Sequence, residues 1–267
     1  MGIINRLQYW GNWLTTDPIG FFIYILYFAV AVLLTLILHE VAHGYVAYRH
    51  GDPTAKMLGR LSLDPRKHLD PIGTIALILV GFGWAKPVPI NPRNFTGNRV
   101  RADFLVSIAG VVTNLTLFIV ATFLTVIINP LLWKPEVIAV NGGANSFLEI
   151  YGLGYNILFS GAGSNYVQYM QTPWLMHVQR FLLMFLTFNL TIGIFNLIPI
   201  PPLDGFHILN DLAFKGRLNV TPQFMRGAQI VFLLLLFSGA VGSVLIAVTT
   251  AVHGGVLHLF LLILGQQ

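Results

Sequence analysis

Glutamate occurs three times in the chain, and one copy, Glu40, stands between two histidines in His39-Glu40-Val41-Ala42-His43. On a helix, residues i and i+4 share a face about one turn apart. Two imidazoles at that spacing can bind a single Zn2+. Glu40 then lies about 100° round the helix from His39, within reach of a water beside the metal. Zinc lowers the pKa of such a water to roughly 7. A carboxylate in that position can accept the water's proton and later deliver it to a leaving group. These five residues therefore predict hydrolytic metal chemistry, with His39 and His43 as ligands and Glu40 as the general base.

A catalytic zinc usually takes three protein ligands and keeps a fourth position open. The chain has no cysteine, so the third ligand must be His, Asp or Glu. Asp103, Asp204, Asp211, His177, His207, His253 and His258 are the candidates. Asp204 stands out because of what precedes it, Asn196-Leu197-Ile198-Pro199-Ile200-Pro201-Pro202-Leu203. Three prolines interrupt an apolar segment there and free backbone groups that must face protein or a polar cavity. A carboxylate just after the break can point into that cavity. Its plainer reading is an N-cap for a helix over 205–214.

The elements that must hold these residues are strongly apolar. The chain of 267 residues is 55% hydrophobic and 9% charged, against about 25% charged in a soluble domain. No charged residue occurs in 20–38, 104–133, 181–203 or 227–267. A run of about 20 apolar residues crosses a bilayer as a helix. The pattern predicts an all-α polytopic membrane protein, a bundle of about 4–6 transmembrane helices in a lipid bilayer. Spans are expected over about 19–49, 99–128 and 174–198. Asn129-Pro130 should close the second of these. Residues 227–267 hold one full span and room for a shorter one, divided near Gly254-Gly255. Residues 72–82 are too short to cross and are expected to form a re-entrant or hairpin segment. Residues 130–172 read as a loop or small insertion outside the core, and 203–214 as a short helix. The first span far exceeds the roughly 7–15-residue core of a signal peptide. It also runs directly into the histidine motif, so it is expected to belong to the mature chain.

Lys and Arg set the orientation. Nine of them lie between residues 49 and 101 and three between 214 and 227, whereas 130–173 hold only Lys134. The first two regions are expected in the cytoplasm and the third outside. The metal site, near the basic end of its helix, then faces the cytoplasmic side. The net charge of +5 is spread over short loops, a membrane-surface bias rather than a nucleic-acid footprint.

His-Glu-Val-Ala-His in one apolar segment and Asn-Leu-Ile-Pro-Ile-Pro-Pro-Leu-Asp-Gly in a later one resemble the site-2 protease family of intramembrane metalloproteases. The similarity is greatest to its compact branch without an inserted PDZ domain. Residues 58–74 (LGRLSLDPRKHLDPIGT) and 83–95 (GWAKPVPINPRNF) add to the resemblance, which covers roughly 20–215. It implies one zinc ion held by His39, His43 and Asp204, with Glu40 as base. It also implies a three-helix catalytic core, membrane-protein substrates and, here, a prokaryotic cell membrane. One membrane-embedded domain over 1–267 is expected, with the catalytic core over about 19–215 and C-terminal spans over 227–267. The family's Ala-Gly-Pro-x-x-Asn motif is Ala109-Gly110-Val111-Val112-Thr113-Asn114 here, with Val111 in place of proline. Asn114 is a candidate donor to substrate backbone or a developing oxyanion; its alternative is an interhelical hydrogen bond. Lys86-Pro87-Val88-Pro89 is either a structural loop or an edge that pairs with unwound substrate. His207 is read as a surface histidine or an outer partner of the site. The competing functions are a zinc-binding membrane scaffold or chaperone without turnover, and a metal or proton transporter.

Overall fold

The computed structural model describes residues 3–73, 76, 85–150, 152–159, 162–218 and 220–266. Among these residues there is no β-strand, only two isolated bridges, Leu69 with Ala85 and Trp133 with Met170. Most of the expected re-entrant segment, 72–82, lies outside the described residues.

Helix α1 (Ile3–Thr16) is joined to α2 (Pro18–Arg49) by Asp17, whose carboxylate accepts the Gly20 amide while Pro18 opens the first turn. Trp13 stacks edge-on against Phe21 and tilts on Tyr24, which folds α1 back along α2. A short turn, α3 (Thr54–Met57), follows. Helix α4 (Arg99–Leu132) starts at an Asn98 cap on the Arg101 amide. It continues through Pro130 instead of stopping there. The proline loses one backbone bond, but Leu132 and Trp133, both almost fully buried, pin the last turn into the core.

Between α4 and the next span the chain forms α5 (Pro135–Val140), α6 (Gly143–Leu148) and α7 (Leu153–Phe159), followed by a 3-10 segment over Ala162–Tyr169. This region is not a loop outside the core. Phe147, Ile157, Leu158 and Phe159 join Phe118, Leu183 and Leu186 in the main hydrophobic cluster. Then come α8 (Leu175–Asn196), α9 (Asp204–Phe214), α10 (Pro222–Phe237) and α11 (Ala240–Leu264). The last two divide at Gly239, which takes a left-handed φ of 80°, while Gly254 and Gly255 lie inside α11.

Among the described residues, four helices are long and apolar enough to cross a membrane: α2, α4, α8 and α11. Exposed Ile19, Phe22, Leu26 and Val30 follow one another at helical spacing along α2. Ile230 and Leu234 on α10, and Val244 and Ile263 on α11, are exposed apolar residues as well. In water such a surface would be unfavourable; in a bilayer it is the lipid face.

The centre is a three-helix unit of α2, α4 and α8, packed pairwise. His43 meets Val106 and Asn189 meets Thr35. Gln179 reaches Thr125, while Gly193 lies against Asn114. These pairs run α4 antiparallel to both neighbours and α2 parallel to α8. The C-terminal half of α2, the N-terminal half of α4 and the end of α8 therefore meet at one end of the bundle. Helix α9 packs on α4 there as well.

Candidate metal centre

Helix α2 runs unbroken through the histidine motif and puts both imidazoles on its buried face, His39 5% and His43 7% exposed. Their Nε2 atoms stand 3.0 Å apart. The polypeptide brings the third group from far away in sequence. Helix α8 ends at Asn196, and tight turns through 197–203 redirect the chain, with Ile200 N–H donating to Ile198 O and Leu203 N–H to Ile200 O. Gly205 makes this path possible: a Cβ there would stand 2.5 Å from the Leu197 carbonyl carbon and 2.6 Å from Ile198 O. Asp204 is the first residue of α9. The N-cap position belongs to Leu203, which makes no side-chain cap, so the plainer reading of Asp204 as a cap does not hold. Its carboxylate turns to the histidines instead, with Oδ2 3.2 Å from His39 Nε2 and 3.3 Å from His43 Nε2.

These three atoms fit a zinc ion. At zinc–ligand distances near 2.1 Å, adjacent corners of a tetrahedron lie roughly 3.4 Å apart, close to the three edges of 3.0, 3.2 and 3.3 Å. Asp204 Oδ2 is buried and has no hydrogen-bond partner. His43 also has the outer partner that fixes a ligating ring: its Nδ1 lies 2.7 Å from Val106 O. A carbonyl only accepts, so Nδ1 carries the proton and Nε2 presents its lone pair. Among the described residues, His39, His43 and Asp204 are the one group of three such side chains arranged to hold a metal.

The floor of this site is Gly110 of α4. A Cβ there would collide with His43 Nε2 and stand 2.5 Å from His39 Cε1. Val111 is buried and α4 passes through it as regular helix, so the missing family proline leaves no break. Asn114, one turn on from Gly110, is fully buried, and neither amide atom has a hydrogen-bond partner. The expected alternative of an interhelical hydrogen bond is therefore not formed. Behind His39, Asn189 Nδ2 donates to Thr35 Oγ1 at 3.0 Å and ties α8 to α2.

The other ligand candidates lie elsewhere. His207 is exposed and faces Asp103 at 3.8 Å. Asp211 is on the same helix, α9. His177 pairs with Tyr27 at 2.9 Å, toward the opposite end of α2. His253 is buried beside Phe118, and His258 is exposed on the same helix.

Glu40 is half-buried on α2, and its Oε2 accepts the Val88 amide at 2.8 Å. Val88 belongs to the Lys86-Pro87-Val88-Pro89 stretch, whose amide is thus engaged by the motif glutamate and does not stand open at an edge. Sequence reasoning missed this contact, and with it Arg60, which holds the Lys86 and Pro87 carbonyls, and Asp52. The Asp52 carboxylate is fully buried and accepts from Asn91 N, Thr54 N and Asn94 Nδ2. Burial would raise it, yet these donors, Asn91 first, lower it. The only advance signal was an acid beside Pro53 and a run of turn residues at 91–94.

An all-helical membrane bundle with a two-histidine, one-aspartate cluster at one end defines a polytopic membrane metalloprotease. Residues 27–239 match the model of Peptidase family M50, and the chain belongs to that family. It is 36% identical over 234 residues to "Putative zinc metalloprotease YwhC" of Bacillus subtilis, covering 88% of this chain and 90% of that protein. It is 27% identical over 161 residues to "Putative zinc metalloprotease Rip2" of Mycolicibacterium smegmatis, covering 55% of this chain and 58% of the relative. Comparison with solved structures gives no significant match.

Proposed function

We propose that this membrane metalloprotease cleaves peptide bonds in or next to transmembrane segments of membrane-protein substrates, with one zinc ion held by His39, His43 and Asp204. The observation that carries this reading is the meeting of buried His39 and His43, on a membrane-spanning helix, with the half-buried carboxylate of Asp204 just beyond the end of another. Ionisable groups are expensive there and mark function. When bound, zinc supplies a Lewis acid that polarises the scissile carbonyl and makes water acidic enough to attack. Glu40 takes the proton of the attacking water and passes it to the leaving amine. One of its oxygens is anchored by Val88 N–H, which leaves the other for proton transfer. The unpartnered amide of Asn114 donates to substrate backbone or to the developing oxyanion. Val106 O holds the His43 ring in register. A substrate helix must unwind locally, because a regular helix engages its carbonyls internally. The basic loops lie at the site's end of the bundle, which supports access from the cytoplasm.

Glu40→Gln tests the reading. It keeps the shape and removes the basic carboxylate. The variant should insert and retain its zinc while cleavage of a membrane-spanning reporter falls at least about 10²-fold. Wild-type cleavage by this variant would refute the mechanism. A zinc-loaded wild type that cleaves no membrane substrate would favour the scaffold function instead.

A further inference from the structure

We infer that Arg60 is a positioning residue for catalysis, acting on Glu40 through a single peptide group, that of Pro87 and Val88. This rests on Glu40 being the general base. Arg60 Nη2 lies 2.7 Å from Lys86 O and 3.1 Å from Pro87 O. Pro87 O and Val88 N–H are the two ends of one planar peptide. The guanidinium thus grips the oxygen end, and Glu40 Oε2, at 2.8 Å, grips the N–H end. A cation at the oxygen and an anion at the N–H both align with the peptide dipole, so each strengthens the other's hold.

The sequence leaves Glu40 no other backbone donor in this stretch. Pro87 and Pro89 have no N–H, so Val88 carries the only amide proton in 87–89. A following proline also confines Lys86 and Val88 to extended backbone, which stiffens the segment. It is held at both ends. Lys86 N–H donates to His68 O at 2.8 Å, and Asn91 N–H to Asp52 at 2.7 Å. Val88 itself is 5% exposed. Among the described residues, the Arg60 side chain has no other hydrogen-bond partner. Among the described residues no carboxylate forms an ion pair with it, and its Nε is buried without a partner. Its charge is directed at these two carbonyls. A carboxylate with one oxygen fixed has lost its rotational freedom, and the other oxygen is aimed before substrate arrives.

The test uses the full-length protein in detergent with a membrane-spanning reporter, and measures zinc content, kcat and KM. Arg60→Ala should keep its zinc and its KM while kcat falls about tenfold or more, the range for outer partners of a catalytic group. Arg60→Lys, which can still grip one carbonyl, should recover part of the loss. The decisive variant replaces the Val88 residue with its α-hydroxy acid, which swaps the amide N–H for an ester oxygen and retains every side chain. It should lose kcat to a similar degree. Adding Arg60→Ala to the ester should cost little more, because both act through one contact. Full kcat in the ester variant or in Arg60→Ala overturns the inference, as do losses that simply multiply. If Arg60→Ala fails to fold, the ester and lysine variants decide alone. Glu40→Gln is run alongside: if it is fully active the base assignment itself fails, whereas an inactive Glu40→Gln beside unaffected Arg60 and ester variants refutes only the role of Arg60.

Discussion

Replacing Gly110 with alanine adds one methyl group to the floor of the metal centre, and its effect follows from distances. The new Cβ would sit 2.5 Å from His39 Cε1 and 2.7 Å from His39 Nδ1, and still closer to His43 Nε2. Non-bonded carbon atoms settle at about 3.5–4.0 Å. One or both rings must therefore retreat by about 1 Å, or α2 and α4 must separate by that amount. Neither retreat is cheap. The rings are buried, and His43 is fixed from behind by Val106 O at 2.7 Å. Zinc–ligand distances tolerate about 0.2 Å, so a shift of 1 Å exceeds that several-fold. A misplacement of this size costs about 10² in rate even when every group is retained. Gly110→Ala should consequently be made and inserted normally, lose zinc to a chelator at least about 100-fold more readily, and cleave at the background of Glu40→Gln. Metal analysis after titration with a chelator, on protein purified in detergent, gives the readout. A Gly110→Ala protein that holds zinc as the wild type does would refute the proposed ligand geometry, since the methyl group cannot share space with two ligating rings.

Three further predictions address the ligand set, the pH dependence and the orientation. His39→Ala, His43→Ala and Asp204→Ala should each sharply lower bound zinc, whereas Asp211→Ala and His177→Ala should leave it near normal; full occupancy in the Asp204 variant would mean another third ligand. Burial first, and the charge of Asp103 second, push the Asp211 carboxyl up to about 6, with His207 opposing. The folded protein then binds more protons than the unfolded chain between the ordinary value of 3.8 and about 6, so this group's contribution to stability is lost as pH rises through that window. Asp211→Asn should accordingly raise the thermal midpoint in detergent above pH 6 and leave it unchanged below pH 4; an equal rise at both would refute the assignment. Cysteines placed at 57 or 217 should resist an impermeant reagent in intact cells and one at 141 should react, an assay made clean by the absence of native cysteine.

The parts of the site that lie within one helical repeat were legible from the residues alone. His39, Glu40 and His43 fall within a single turn and a half, so their relation is fixed once the segment is a helix, and an uncharged run of that length in a membrane has few alternatives. Asp204 was legible for a different reason: three prolines within four residues must interrupt a span, and an acid directly after the interruption has to be accommodated in a polar space. The region 130–172 was misread as lying outside the core because its apolar residues come in short groups separated by Gly and Asn. Averaged over a window they look like a loop, yet Phe147, Leu148, Leu158 and Phe159 all bury against the spans.

Glycine and proline show most clearly where local reasoning stops. Pro130 should end α4, and in isolation the lost backbone bond favours that outcome; burial of Leu132 and Trp133 reverses it. Gly254-Gly255 reads as a stronger break than a lone glycine, but a glycine inside an apolar span costs only about 1 kcal/mol against alanine. A true break needs a turn that the rest of the fold can use, and Gly239 supplies it with a left-handed φ at the junction of α10 and α11. The same distinction separates Glu40 from its surroundings. Its position on α2 is a local property, while the donor that orients it comes from Val88 and the cation behind that donor from Arg60, in two loops whose paths no short-range pattern specifies. The chemistry of the base is written in five consecutive residues, and the precision of its aim depends on contacts between segments twenty to forty-eight residues away.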